Sequence, residues 1–74
     1  MKARMIRVFP DYGYGFARVE DNTTGYNGSD IFIHFTEFVN VSNGNEIQVD
    51  NIVDIENIDK TKKGLAGKGV KLIN

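Results

Sequence analysis

The sequence predicts an all-β fold, a small closed barrel of five strands, and three observations support this prediction. β-Branched and aromatic residues occur in short runs separated by Gly, Asn and Asp, a pattern typical of strands joined by turns. No long stretch has apolar residues at the three- and four-residue spacing of a helix. Several short strands in a chain of 74 residues favour a barrel, because closure removes exposed strand edges.

The chain divides into predicted strands and turn-rich connections, and residues 1–74 are expected to form one domain. Pro10 and the stretch 21–29, which is rich in Asp, Asn, Thr, Gly and Ser, are typical of turns. Thr36 is placed to cap a single turn of helix after the third strand. The predicted strands are approximately 2–9, 13–20, 30–35, 47–57 and 65–73.

The second strand has an unusual division between its faces, because successive side chains of a strand point to opposite sides. One face carries Gly13, Gly15, Ala17 and Val19, and the other carries Tyr14, Phe16, Arg18 and Glu20. Glycine is costly within a strand, so the two glycines indicate close backbone approach or sharp curvature. The pattern predicts a tight barrel interior with Tyr14 and Phe16 on the outside.

The third strand repeats this division. Ile31 and Ile33 point to one side, as core residues should, whereas Phe32 and His34 point to the other. Phe35 belongs with the isoleucines by strict alternation. If the isoleucines face the interior, Phe32 shares the outer face with the two rings of the second strand. Exposed rings in a group mark a binding site, and rings with cations nearby suit stacking on nucleic-acid bases.

Charge is unevenly distributed along a chain whose formal net charge is −1. Residues 20–59 hold nine acidic residues and no Lys or Arg, whereas residues 60–74 hold five lysines and no acidic residue. Residues 1–19 hold four basic residues and one acidic residue. If the fold brings the two ends together, they form one basic face on an acidic protein. The alternative is an ordinary solvated surface.

The composition argues against several classes of function. With no Cys and one His, the chain cannot form disulfides, thiolate metal sites or a histidine cluster, so we expect no metal and no cofactor. No nucleophile constellation is visible, and residues 64–69 fail the P-loop pattern, so we expect neither an enzyme nor a small-molecule substrate. No apolar run is long enough for a membrane span or a signal peptide, which predicts a cytoplasmic protein without a membrane partner.

The two aromatic strands resemble the paired ribonucleoprotein motifs of the cold-shock domain family. The first motif of the family reads Lys-Gly-Phe-Gly-Phe-Ile, and residues 12–17 read Tyr-Gly-Tyr-Gly-Phe-Ala. The second reads Val-Phe-Val-His-Phe, and residues 31–35 read Ile-Phe-Ile-His-Phe after Asp30. Residues 63–70 resemble a further segment of the family, so the resemblance spans nearly the whole chain.

The resemblance implies a five-stranded antiparallel barrel of the OB type that binds single-stranded RNA or DNA without catalysis. It places Phe35 among the stacking rings, whereas strict alternation places it with the isoleucines. We follow the resemblance and expect Phe35 to stack on bases. It also implies that Arg7 contacts the backbone or the bases and that Phe9 lies beside the site. The stacking positions that it matches are Tyr14, Phe16, Phe32, His34 and Phe35.

This sequence departs from the family pattern at several positions. Val8 stands where the family has a tryptophan, and the absence of that ring should weaken stacking by about 1–3 kcal/mol. Tyr12 replaces a lysine and offers an extra ring, and Leu65 replaces a proline. The loop at 57–63 is longer than in the family. The lysines of this loop, which we expect to contact phosphates, are Lys60, Lys62 and Lys63.

Two functions of different classes fit these features. The first is a monomeric single-strand binder of cold-shock type that acts as an RNA chaperone, because stacking on the rings competes with base pairing. The second is a protein-interaction module that docks a partner on the same aromatic patch. The missing tryptophan and the net charge of −1 favour the second slightly.

Overall fold

The computed structural model describes residues 1–74 and confirms the all-β fold. The strands are β1 Lys2–Phe9, β2 Tyr14–Val19, β3 Asp30–His34, β4 Ile52–Thr61 and β5 Gly64–Leu72. They close into a barrel in the order β1-β2-β3-β5-β4, and β4 pairs with β1. All strand pairs are antiparallel except β3 with β5, which run parallel. The predicted five-stranded barrel is therefore confirmed, with one parallel pairing, and is consistent with an OB-type fold.

The interior of the barrel is filled mainly by small and branched side chains. The inward face predicted for β3 is confirmed, since Ile31 and Ile33 have no exposed surface, and that of β2 is confirmed at Ala17. Gly13, which the prediction also put on this face, is half-buried and precedes β2. Phe38 is the only aromatic residue of the core. The large rings of β2 and β3 alternate with these buried residues and lie on the outside of the barrel. The core consists of Ala3, Met5, Ala17, Val19, Ile31, Ile33, Phe38, Ile47, Val53, Ile55 and Val70.

Strand β1 bends where it passes the glycine-containing part of β2. The register between the two strands shifts between Met5 and Arg7, which is the signature of a bulge. Gly15 is buried directly opposite Val8, just beyond this irregularity. The close backbone approach predicted from the glycines is therefore present at Gly15.

The fourth strand differs most from its prediction. The sequence predicts a strand at 47–57 and a loop at 58–64, but β4 extends from Ile52 to Thr61 and forms a hairpin with β5. The prediction began this strand too early because Ile47 is apolar. Ile47 is a core residue, but it lies in a connection and not in a strand. The turn of the hairpin consists of Lys62 and Lys63.

Both helical segments are single 3₁₀ turns of three residues, and no helix is long and apolar enough to cross a bilayer. The first covers Phe35–Glu37, and its cap is His34 instead of the predicted Thr36. The Nδ1 atom of His34 accepts a hydrogen bond from the Thr36 N–H group at 3.2 Å. The second, Gly44–Glu46, was not predicted, although Asn43 and Glu46 form a capping box there.

Candidate nucleic-acid interface

Four aromatic rings lie together on the outer face of β1, β2 and β3. Tyr14 is central, with its ring centroid 5.1 Å from that of Phe9 and 5.3 Å from that of Phe32. Phe16 and Phe32 are direct partners across the two strands, and their ring centroids are 5.8 Å apart. We call Phe9, Tyr14, Phe16 and Phe32 the ring cluster.

Strand alternation keeps the ring cluster outside the core. The four rings are half-buried, whereas Gly15 and Ala17, which alternate with the rings along β2, are buried. Each ring is therefore supported by its neighbours while part of it remains open to solvent. Tyr12 extends the cluster at its edge, because its ring is 74% exposed and lies 6.3 Å from that of Tyr14.

A groove of about 620 Å³ lies between the ring cluster and the β4–β5 hairpin. Tyr14, Phe16 and Phe32 line one side. The groove is mostly apolar, and Tyr14, Lys63 and Lys68 are among its lining residues that carry a polar group. The hairpin side is lined by Thr61, Lys63, Gly64, Leu65, Ala66 and Lys68.

Cations without an ion-pair partner flank the groove. Arg7 is exposed and lies directly opposite Phe16 on β1. The hairpin lysines Lys60, Lys62 and Lys63 are exposed, and none is within ion-pair distance of a carboxylate. Lys68 is partly neutralised, since its Nζ atom lies 3.7 Å from Oε2 of Glu37. The two ends of the chain thus bring positive charge to opposite sides of the same rings.

Beyond the rings, the same face of the barrel ends in ion pairs. Arg18 donates from Nε to Oδ1 of Asp30 at 2.9 Å. This hydrogen bond and the attraction between the two charges raise the pKa of the Arg18 guanidinium above its ordinary value. Arg4 donates from Nε to Oε2 of Glu20 at 3.0 Å. These acidic groups are therefore occupied by arginines of the same surface.

Not all residues predicted for the site enter the groove. His34 is exposed beside the cluster, directly opposite Tyr14. Phe35 is half-buried in the first 3₁₀ turn, where it packs against the core and makes an edge-on contact with the ring of Phe38 at 6.3 Å. Lys60 and Lys62 lie on the hairpin outside the groove. The structure brings together Arg7, Phe9, Tyr12, Tyr14, Phe16, Phe32 and Lys63.

Five residues of the groove were not predicted from the sequence: Thr61, Gly64, Leu65, Ala66 and Lys68. Lys68 belongs to the C-terminal basic segment, so the charge pattern contained its signal. No pattern in the sequence indicated Thr61, because its position depends on the register of the β4–β5 hairpin. Its hydroxyl donates to the Gly64 carbonyl oxygen at 2.7 Å and accepts from the Lys63 N–H group, so it holds the hairpin turn instead of presenting a free polar group.

The arrangement can stack planar groups and attract anions. No group of three or more His, Asp or Glu side chains is placed to hold a metal ion. Comparison with protein-family models found no match for this chain, and comparison with curated proteins found none either. The rings, the groove and the surrounding charges are therefore the features of this chain that indicate a function.

Proposed function

We propose that this protein binds single-stranded nucleic acid by stacking bases on the ring cluster, and that it is an RNA chaperone of cold-shock type rather than an enzyme. The observation that carries the proposal is the half-exposed ring cluster beside a groove whose other wall carries lysines. Every base offers a π-face, and each base stacked on an aromatic ring contributes about 1–3 kcal/mol. Flanking lysines and arginine would follow the phosphate backbone.

The charges favour nucleic acid over a protein partner on this surface. Protein interfaces are depleted in lysine at their centres, yet Lys63 and Lys68 line the groove beside the rings. Arg7 adds a further cation without an ion-pair partner on the opposite side of the rings. A polyanionic nucleic-acid strand could place phosphates beside the cations on both sides of the rings.

Chaperone action follows from the mode of binding. A base that stacks on Phe16 or Phe32 is unavailable for pairing, so binding shifts hairpins in the bound strand toward the open form. The effect requires no input of energy and only modest affinity, because it depends on mass action.

The test is fluorescence anisotropy of a labelled oligothymidine at low and moderate salt. The double variant Phe16→Ala, Phe32→Ala lacks two stacking rings, and we expect its affinity to fall at least tenfold. Val39 and Ile73 are exposed apolar residues outside the face, so Val39→Ala, Ile73→Ala is the matched control and should bind like the wild type. Circular dichroism must show that both variants are folded.

Two results would count against the proposal. Undiminished binding by the folded ring variant would show that stacking does not occur on the ring cluster. Failure of the wild type to bind at low salt would favour the rival function, a protein-interaction module that uses the same rings.

A further inference from the structure

Two arginines lie side by side next to the ring cluster. Arg4 of β1 and Arg18 of β2 are directly opposite each other in the strand register. Arg18 is two residues from Phe16 along β2, so its side chain projects from the face that carries the rings. Side chains directly opposite each other have Cβ atoms about 4.5–5.5 Å apart. The two side chains therefore start from adjacent positions on the surface, from which Arg18 reaches toward Asp30 of β3 and Arg4 toward Glu20.

Each arginine is held by a single carboxylate that leaves part of its guanidinium free. Asp30 accepts from Nε and Nη2 of Arg18 at 2.9 and 3.4 Å. Glu20 accepts from Nε of Arg4 at 3.0 Å. A guanidinium has five N–H groups, so several donors of each arginine have no protein partner. The side chains of Arg18 and Arg4 are 53% and 42% exposed, respectively.

We propose that Arg4 and Arg18 form a phosphate subsite for the backbone of the bound strand, and that Asp30 competes with the phosphate for Arg18. The proposal rests on the proposed function and extends its site along β2. Like charges directly opposite each other on a sheet repel, and a phosphate that contacts both guanidinium groups relieves this repulsion. Arginine also binds phosphate through paired hydrogen bonds.

Exchange between carboxylate and phosphate is physically easy at this position. Ion pairs between exposed groups contribute little to stability. The free-energy cost of separating Arg18 from Asp30 is therefore small, and the contact of Arg18 with a phosphate offsets it. A base stacked on Phe16 has its phosphates within reach of the subsite, because two residues along a strand span about 6.8 Å. The bound nucleic acid then runs from the groove, over the rings, to Arg18 and Arg4.

The first test compares Arg18→Gln and Arg4→Gln with Lys71→Gln by anisotropy with labelled oligothymidine across a salt series. Lys71 lines a separate cavity with Met1 and Val39, so its variant removes the same charge away from the rings. We expect each arginine variant to bind about tenfold more weakly at low salt. Each should also lower the slope of log K against log salt by about 0.7, the value for one phosphate contact.

The outcomes separate this subsite from the proposed function. Arginine variants that behave like Lys71→Gln, while the wild type binds and the ring variant does not, would overturn the subsite alone. A wild type that does not bind would overturn the proposed function.

A second test isolates the competition by Asp30. Asp30→Asn should tighten binding about threefold in the wild type and should have no effect in the Arg18→Gln background. An equal gain in both backgrounds would show a general charge effect and would overturn the role of Asp30 as a competitor. All variants should have a Tm close to that of the wild type, because the substituted side chains are exposed.

Discussion

The carbonyl oxygen of Arg7 lies so close to Gly15 that a Cβ atom at Gly15 would be 2.6 Å from it. This close approach joins β1 and β2 beneath the ring cluster, because Gly15 lies between Tyr14 and Phe16. The missing side chain lets β1 approach closely enough to place Phe9 against Tyr14, with 5.1 Å between the ring centroids. The shape of the ring cluster thus depends on a buried residue that lies beneath the rings.

Gly15→Ala should therefore destabilise the protein. The new methyl group would also lie 2.9 Å from Cε of Met5, and overpacking of this kind costs about 1–3 kcal/mol. Gly25→Ala is the matched control, since a Cβ there meets nothing within 4 Å, and its effect should stay within about 0.5 kcal/mol. Urea denaturation measures both. Equal midpoints for the two variants would contradict the close approach.

The hairpin lysines should control the salt dependence of binding. Lys60, Lys62 and Lys63 have no acidic partner, so replacing all three with Gln should reduce the slope of log K against log salt. The slope should fall by about 0.7 for each phosphate that is no longer neutralised by a lysine. The single variant Lys71→Gln should leave the slope unchanged. A triple variant with the wild-type slope would rule out a role for these lysines on phosphates.

The loop after β2 should show a dependence of stability on acid pH. The Thr23 hydroxyl and then the Thr23 N–H group donate to the Asp21 carboxylate, and these bonds lower the pKa of Asp21 below its ordinary value. The unfolded chain thus binds the proton more readily than the folded one. The stabilisation is complete above the ordinary aspartate pKa of about 3.9, and it is lost as the pH falls through the lowered value.

Thermal melting of Thr23→Ala against the wild type measures this effect. The difference in Tm should be largest near neutral pH and should shrink as the pH falls below about 3.9. Thr24→Ala is the control, because the Thr24 hydroxyl bonds backbone groups of Asp21 and Tyr26 and no ionisable group. Its difference in Tm should not change over the same range. A constant difference for Thr23→Ala would contradict the assignment.

The faces of β2 and β3 could be predicted from the sequence because strand alternation is a local property. Ile31 and Ile33 identify the inner side of β3, so the outer position of Phe32 follows directly. The same reasoning was less successful for β4, since Ile47 is buried by tertiary packing and not by strand pairing. A short apolar pattern does not distinguish these two causes of burial.

The groove could be predicted only in part. Its aromatic side follows from local alternation, but its hairpin side depends on the parallel pairing of Phe32 with Ala66. Contacts between residues so distant in sequence leave no periodic signal along the chain. The charge pattern indicated that the two basic ends could meet, yet only the register shows that Lys63 and Lys68 line the groove and that Lys60 and Lys62 do not.

Phe35 is the residue on which alternation and family resemblance disagree, and its place in the structure yields a last prediction. It packs against the core, and its ring lies at 82° to that of Phe38. Phe35→Ala should lower the free energy of unfolding by about 2 kcal/mol, less than the loss at a fully buried Phe. Binding by the folded fraction should change less than twofold, whereas Phe32→Ala should weaken it about tenfold. Urea denaturation and anisotropy on the same samples check both values, and a binding loss at Phe35 equal to that at Phe32 without loss of stability would place Phe35 on the stacking surface instead.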